Sequence, residues 1–211
     1  RGESDTEVLL EAISQWGLLK TLNKCTGMFA FALWDKELKQ LSLARDRLGE
    51  KPLYWSFDGK KLWFASEIKA VISSGSLSAS PNLSKINEFF YTGKIYGEET
   101  FFKDIFEVQP GQYIKIKIDL SNIKKKTYWK LENFQTKSHP NSYSSLKRGF
   151  LNKLNVAIDT RSVSDVPIGV LLSGGVDSNT ILNSLLSSGK KDVELFFADN
   201  KSKESSELKR S

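Results

Sequence analysis

Ile168-Gly169-Val170-Leu171-Leu172-Ser173-Gly174-Gly175-Val176-Asp177-Ser178 is the stretch on which the reading of this chain turns. A mostly apolar run enters a glycine-rich turn, and a helical pattern starts at once. That is how a buried parallel strand delivers a phosphate group to a helix N-terminus. Gly174 and Gly175 let the backbone approach an anion closely, with successive N–H groups pointing into the turn. Ser173 and Ser178 add hydroxyl donors, and Asp177 offers a carboxylate to a Mg²⁺ ion. No lysine follows the second glycine, so this is not the G-x-x-x-x-G-K-[ST] loop that moves a γ-phosphoryl group. A loop that grips pyrophosphate instead suits chemistry that leaves AMP on the acceptor. The plainer alternative is a Ser/Gly-rich strand-to-helix turn that holds no ligand.

On either side the pattern is of one kind. Leu146, Phe150, Leu154 and Ile158 recur every four residues and predict an amphipathic helix. After the loop, a helix with Ile181, Leu182, Leu185 and Leu186 buried is predicted, capped by Gly189, and Val193 to Phe197 begins another strand. Strand, helix, strand at this spacing opens a doubly wound α/β parallel sheet. Polar Glu132 to Ser142, with Pro140, reads as a linker. The chain therefore divides into residues 1–135, a linker at 136–143, and residues 144–211.

The first part is written differently. Ser4-Asp5-Thr6-Glu7 is a capping box, followed by a helical stripe of Val8, Leu9, Ile13 and Trp16 that Gly17 ends. Met28 to Trp34 predicts a strand covered on both faces; Asp35 to Lys39 turns it into a second strand, Leu41 to Arg45. Leu53 to Phe57 and Lys61 to Ser66 flank Asp58-Gly59, a two-residue hairpin signal. A helix over Pro81 to Tyr91 is started by Ser80, and Ile114, Ile116 and Ile118 alternate with lysines as in a half-exposed strand. Tyr128-Trp129 closes the sheet. These residues predict an α+β domain of antiparallel strands with helices against them.

Composition narrows the functional classes. The 211 residues are 39% hydrophobic and 27% charged, an ordinary globular balance. No apolar run nears the roughly 18 residues that span a bilayer, and no signal peptide opens the chain. Cys25 is the only cysteine, which excludes an intrachain disulfide and points to a reducing cytoplasm. The net charge of +6 comes from dispersed lysines; the one cluster, Lys124 to Lys126, reads as a solvated turn and argues against a nucleic-acid partner. His139, ahead of Pro140, reads as solvated. Phe29, Phe31 and Trp34, with Trp55 and Trp63, read as sheet core. Arg45 and Asp46 form either a buried ion pair shaping an interdomain passage or a hairpin salt bridge. Arg1 in place of Met, and Glu204 to Ser211 as a helix just beginning, suggest that both ends are cut.

Three motifs carry a family resemblance. Gly27-Met28-Phe29-Ala30-Phe31-Ala32, then Arg45-Asp46-Arg47-Leu48-Gly49-Glu50-Lys51-Pro52-Leu53-Tyr54, then Phe64-Ala65-Ser66-Glu67-Ile68-Lys69-Ala70, look like a class II glutamine amidotransferase domain. Asp165 to Gly175 is similar to the start of the asparagine synthetase domain, and Ser173 to Ser178 resembles the S-G-G-x-D-S loop of the PP-loop ATP pyrophosphatases. Throughout its length the chain resembles the glutamine-hydrolysing asparagine synthetases. The resemblance implies an N-terminal-nucleophile fold followed by the first part of a PP-loop domain. It also implies a ligase whose substrates are glutamine, aspartate and ATP, with Mg²⁺ as cofactor. An N-terminal Cys releases ammonia from glutamine, and ammonia passes through a channel to a β-aspartyl-AMP formed at the second site.

By the same resemblance Asp5 binds the α-amino group of glutamine, although an acid in a first helical turn needs no ligand to explain it. Leu171 contacts adenine through its backbone, Ser173, Gly174, Gly175, Val176, Asp177 and Ser178 hold pyrophosphate, Asp177 holds Mg²⁺, and Ala198 matches a second adenine contact in a loose register. The family's nucleophilic Cys, the Arg and Asn-Gly-Glu segment that hold glutamine, and the aspartate-binding residues have no match in this sequence, so the stretch carries no catalytic residue and is expected to be inactive alone. Cys25 reads as packing. A homodimer is left open, and neither nucleic acid nor membrane is expected. The rival readings are a paralogue amidating another carboxylate in surface-polysaccharide or secondary-metabolite synthesis, a tRNA-adenylating enzyme, and a non-catalytic remnant.

Overall fold

The computed structural model describes residues 4–74, 79–117, 122–134, 142–190 and 192–197. They divide into two compact units, Arg1–Gln135 and Thr136–Ser211. The Glu132–Ser142 stretch is only partly a linker: Leu131–Phe134 is a 3-10 turn of the first unit. His139 and Pro140 lie outside the described residues.

The first unit runs α1 (Asp5–Trp16), α2 (Leu18–Lys24), β1 (Ala30–Asp35), β2 (Gln40–Arg45), β3 (Tyr54–Phe57), β4 (Leu62–Ala65), α3 (Ile68–Ile72), α4 (Leu83–Thr92), β5 (Ile105–Glu107), β6 (Gln112–Lys117) and β7 (Ile123–Thr127). The strands form an antiparallel sheet β1-β2-β6-β7 and a second antiparallel sheet β4-β3-β5. Because side chains alternate along a strand, each central strand serves two cores. Leu43, Ile114 and Ile116 meet Leu53, Trp55 and Val108 between the sheets. Ala44 and Tyr113, on the opposite face, pack under Leu18 and Leu22 of α2.

Several local expectations shift. Ser4 caps α1 by accepting from the Thr6 amide at 3.2 Å, but Val8 and Trp16 are largely exposed; only Leu9 and Ile13 of the stripe are half-buried. β1 is the outermost strand of its sheet, so Ala32 and Trp34 are exposed and the expected two-faced cover is absent. Lys124–Lys126 belong to β7, with Lys124 opposite Lys115, not to a turn. Lysines on an edge strand keep its unpaired backbone groups from pairing with another chain. α4 starts at Leu83, capped by Asn82 rather than Ser80, because Pro81 is held in a bridge to Phe102. The β3–β4 turn centres on Gly59-Lys60, while the Asp58 carboxylate accepts from the Lys60 and Lys61 amides. β6 alternates as expected, with Ile114 and Ile116 buried against half-buried Lys115 and exposed Lys117, but Tyr113 is buried on the opposite face; Ile118 lies outside the described residues.

The second unit contains α5 (Tyr143–Arg161), β8 (Ile168–Leu172), α6 (Val176–Ser187) and β9 (Val193–Phe197), with β8 and β9 parallel and α6 crossing between them. Its core is Val170, Leu172 and Leu185, with Ile158, Leu182 and Val193 against it. Ile181, Leu186, Leu146 and Phe150, expected to be buried, are exposed. α6 turns only Leu182 and Leu185 to the strands, and α5 contributes only Ile158 to this core. Gly189 does end α6: its amide donates to Leu186 O and the next amide to Leu185 O, a paired closure that satisfies two terminal carbonyls.

Candidate functional site

Each unit carries a candidate site. In the second, β8 ends at Leu172 and the chain turns through Ser173 and Gly174 into α6. Gly174 sits at φ 72°, where a side chain is strained, and Gly175 is the extended N-cap residue. No side chain caps α6, so its first-turn amides are available to an anion. Ser178 shapes the turn: its hydroxyl donates to Gly175 O at 3.2 Å, accepts from the Ser173 amide at 3.4 Å, and lies 3.3 Å from the Ser173 hydroxyl. The structure thus brings Ser173, Gly174, Gly175 and Ser178 into one small cup.

Asp177 is exposed in the first turn of α6, and Val176 and Leu171 show their side chains to solvent. Among the described residues there is no cluster of three metal-ligating side chains. Ala198 lies outside the described residues.

In the first unit an open cleft of about 900 Å³ runs along α1 and the start of β1, lined by Asp5, Leu9, Cys25, Met28, Phe29 and Phe31 together with Lys51 and Pro52. Asp5 stands at its head as the first residue of α1 and accepts weakly from its neighbour Thr6 at 3.4 Å. Cys25 is half-buried; burial pushes its thiol up, against a partial downward pull from Arg47. A thiol so placed is a poor nucleophile at neutral pH.

The 45–52 segment is where reading the sequence fell short. Arg45 and Asp46 are both buried but do not pair with each other. The Arg45 guanidinium donates to Lys51 O, Gly49 O, Val108 O and Glu107 Oε1, each at 2.7 Å. The Asp46 carboxylate accepts four backbone amides: Leu48 and Glu50 on Oδ1, Phe29 and Lys51 on Oδ2. Burial alone would raise its pKa, yet the four amides hold it below the ordinary carboxylate value. An Asp two residues before Leu48 and three before Gly49 is an Asx-turn signal, which could have pointed to this arrangement.

Comparison with known proteins agrees with both halves. The family model of the glutamine amidotransferase domain matches residues 1–129, and that of asparagine synthase matches residues 149–211. An asparagine synthetase [glutamine-hydrolyzing] 3 of Bacillus subtilis is 34% identical over 84% of this chain and 28% of its own length. A putative asparagine synthetase [glutamine-hydrolyzing] 2 of Methanocaldococcus jannaschii is 32% identical over 85% of this chain and 34% of its own. Amidase chyE of Penicillium rubens is 33% identical over 85% of this chain and 26% of its own. The chain thus spans between 26% and 34% of the length of these relatives. On the match over residues 1–129, the chain belongs to the glutamine amidotransferase family, and it carries in the same polypeptide a segment of the asparagine synthase family.

Proposed function

We propose that this chain bears parts of both sites of an ATP-dependent ligase that converts aspartate to asparagine with ammonia taken from glutamine. The observation that carries the reading is the uncapped N-terminus of α6 behind the Ser173-Gly174 turn, in one polypeptide with an amidotransferase cleft headed by Asp5. A carboxylate resists nucleophiles until it carries a good leaving group. The aspartate side chain attacks the α-phosphorus of ATP, pyrophosphate leaves, and ammonia then displaces AMP from the acyl carbon.

The chain's own residues do the positioning. The Ser173 and Ser178 hydroxyls and the first amides of α6 hold the departing pyrophosphate. Asp177 holds Mg²⁺ against the same phosphates, and the ion, when bound, neutralises their charge. Leu171 contacts the adenine through its backbone. In the cleft, the Asp5 carboxylate pairs with the α-ammonium of glutamine. Cys25 is not the nucleophile that attacks the glutamine amide; that role falls to an N-terminal cysteine outside this stretch. A reducing cytoplasm suits this chemistry and the lone cysteine, and the reading calls for neither nucleic acid nor membrane. Among the described residues no helix is long and apolar enough to cross a membrane.

A second reading keeps the chemistry and changes the acceptor carboxylate. The similarity to a fungal amidase, at 33% identity against 34% for an asparagine synthetase, favours keeping it in view. The full-length protein incubated with ATP, Mg²⁺, glutamine and aspartate decides between them. Asparagine formed in step with AMP and pyrophosphate supports the first reading. AMP formed only with another carboxylate supports the second, and no AMP with any carboxylate overturns both.

A further inference from the structure

We infer that Arg45 and Asp46 are positioning residues for glutamine: together they clamp the Lys51 peptide and fix one wall of the amidotransferase cleft. The inference rests on the glutamine-binding role proposed for that cleft. Its geometry is independent of that role. Lys51, Pro52 and Phe29 all line the cleft. One oxygen, Asp46 Oδ2, accepts from the amides of both Phe29, at 3.3 Å, and Lys51, at 3.0 Å. The Asp46 backbone repeats the tie, its amide donating to Phe29 O at 2.9 Å. A single buried residue thereby sets the spacing between two cleft-lining segments.

Arg45 grips the same peptide from the other end. Its Nε donates to Lys51 O, and its remaining donors hold Gly49 O, Val108 O and Glu107. The chain from 46 to 51 is wound around two oppositely charged side chains that point apart. Each neutralises backbone dipoles rather than the other's charge. Gly49 makes the winding feasible: at φ 69° it is left-handed, and a Cβ there would stand 2.8 Å from Pro110 Cγ and 3.0 Å from Arg45 Cζ. Tyr128 adds a brace by donating its hydroxyl to Arg45 O at 2.8 Å. A rigid wall suits a small zwitterionic substrate, because misplacement by about 1 Å costs on the order of 100-fold in rate.

Asp46→Asn is the informative variant. The amide retains one oxygen for two of the four N–H groups and turns its own NH₂ toward the other two. Gly49→Ala perturbs the same clamp sterically and serves if Asp46→Asn does not fold. In the full-length protein, glutamine-dependent and ammonia-dependent synthesis are measured side by side. Amide hydrogen exchange is read at Phe29, Leu48, Glu50 and Lys51. The expected result is a rise in KM for glutamine of about 10- to 100-fold, with ammonia-dependent kcat within about twofold of the parent and faster exchange at Lys51. An unchanged KM for glutamine in either folded variant overturns the positioning role, as does a parallel loss of ammonia-dependent activity. If the parent shows no glutamine-dependent activity, the functional reading fails and the clamp is judged on exchange alone. Unaltered protection at Lys51 in the variants then overturns it.

Discussion

Replacing Arg45 with Met tests whether the 45–52 loop is held by that one guanidinium. Methionine keeps the stem and its packing but removes four hydrogen bonds of 2.7 Å. Their loss is unequal. Val108 is fully buried, so its carbonyl is left without a donor and without water, at about 1–3 kcal/mol. The Gly49 and Lys51 carbonyls lie on a partly exposed loop and can be rehydrated. The Glu107 side chain is 30% exposed and regains water as well. Adding the loss of the charge-assisted bonds, about 1.5–3 kcal/mol, gives about 3–5 kcal/mol in all. That is a large fraction of the roughly 5–15 kcal/mol a domain possesses.

Glu107→Gln keeps an acceptor for Arg45, whose charge stays held by three carbonyls, so it costs less than Arg45→Met, about 1–2 kcal/mol. The assay is urea unfolding of the 211-residue chain followed by tryptophan fluorescence. All five tryptophans lie at positions 16, 34, 55, 63 and 129, inside the first unit, so the signal reports that unit alone. With a slope of about 1–3 kcal/mol per molar urea, Arg45→Met lowers the midpoint by at least about 1 M. A loss below about 1 kcal/mol for Arg45→Met, or an equal loss for Glu107→Gln, would refute the reasoning.

Acid stability should follow Asp46. Its carboxyl is held below the ordinary 3.8, so it contributes stability that is complete above the unfolded value and disappears as pH falls through the folded one. Unfolding as pH falls below the ordinary carboxylate value of 3.8 should therefore show an acid limb that Asp46→Asn removes; an identical limb in the variant would assign the effect elsewhere. Gly174→Ala places a side chain at φ 72°, at a cost of about 1–2 kcal/mol. Calorimetric titration of the full-length protein should then show Mg-ATP binding weakened by about tenfold, and undiminished affinity would remove the Ser173–Ser178 turn from the nucleotide site.

The parallel-sheet loop was legible in the sequence because its determinants are local. Gly174 and Gly175 fix the backbone, Ser178 is the third residue of α6, and the apolar run at Ile168–Leu172 does form the parallel strand, although only Val170 and Leu172 of it are buried. Caps and periodicity likewise placed α1, α5, β2 and β6 close to their observed bounds. Burial was less legible. Leu146, Phe150, Ile181 and Leu186 keep the right spacing, but a stripe says which face is apolar and not whether anything covers it.

What the sequence by itself determined is the family of the two halves and the local form of the Ser173–Ser178 turn, since both are written in consecutive residues. Only the tertiary structure decided what Arg45 and Asp46 do. Asp46 follows Arg45 just where β2 ends, and as the chain leaves the strand the two neighbouring charges take different backbone partners. Asp46 found its partners in Phe29 and the loop ahead of it, and Arg45 found Glu107 and Val108 sixty residues away, brought beside it by the pairing of β3 with β5.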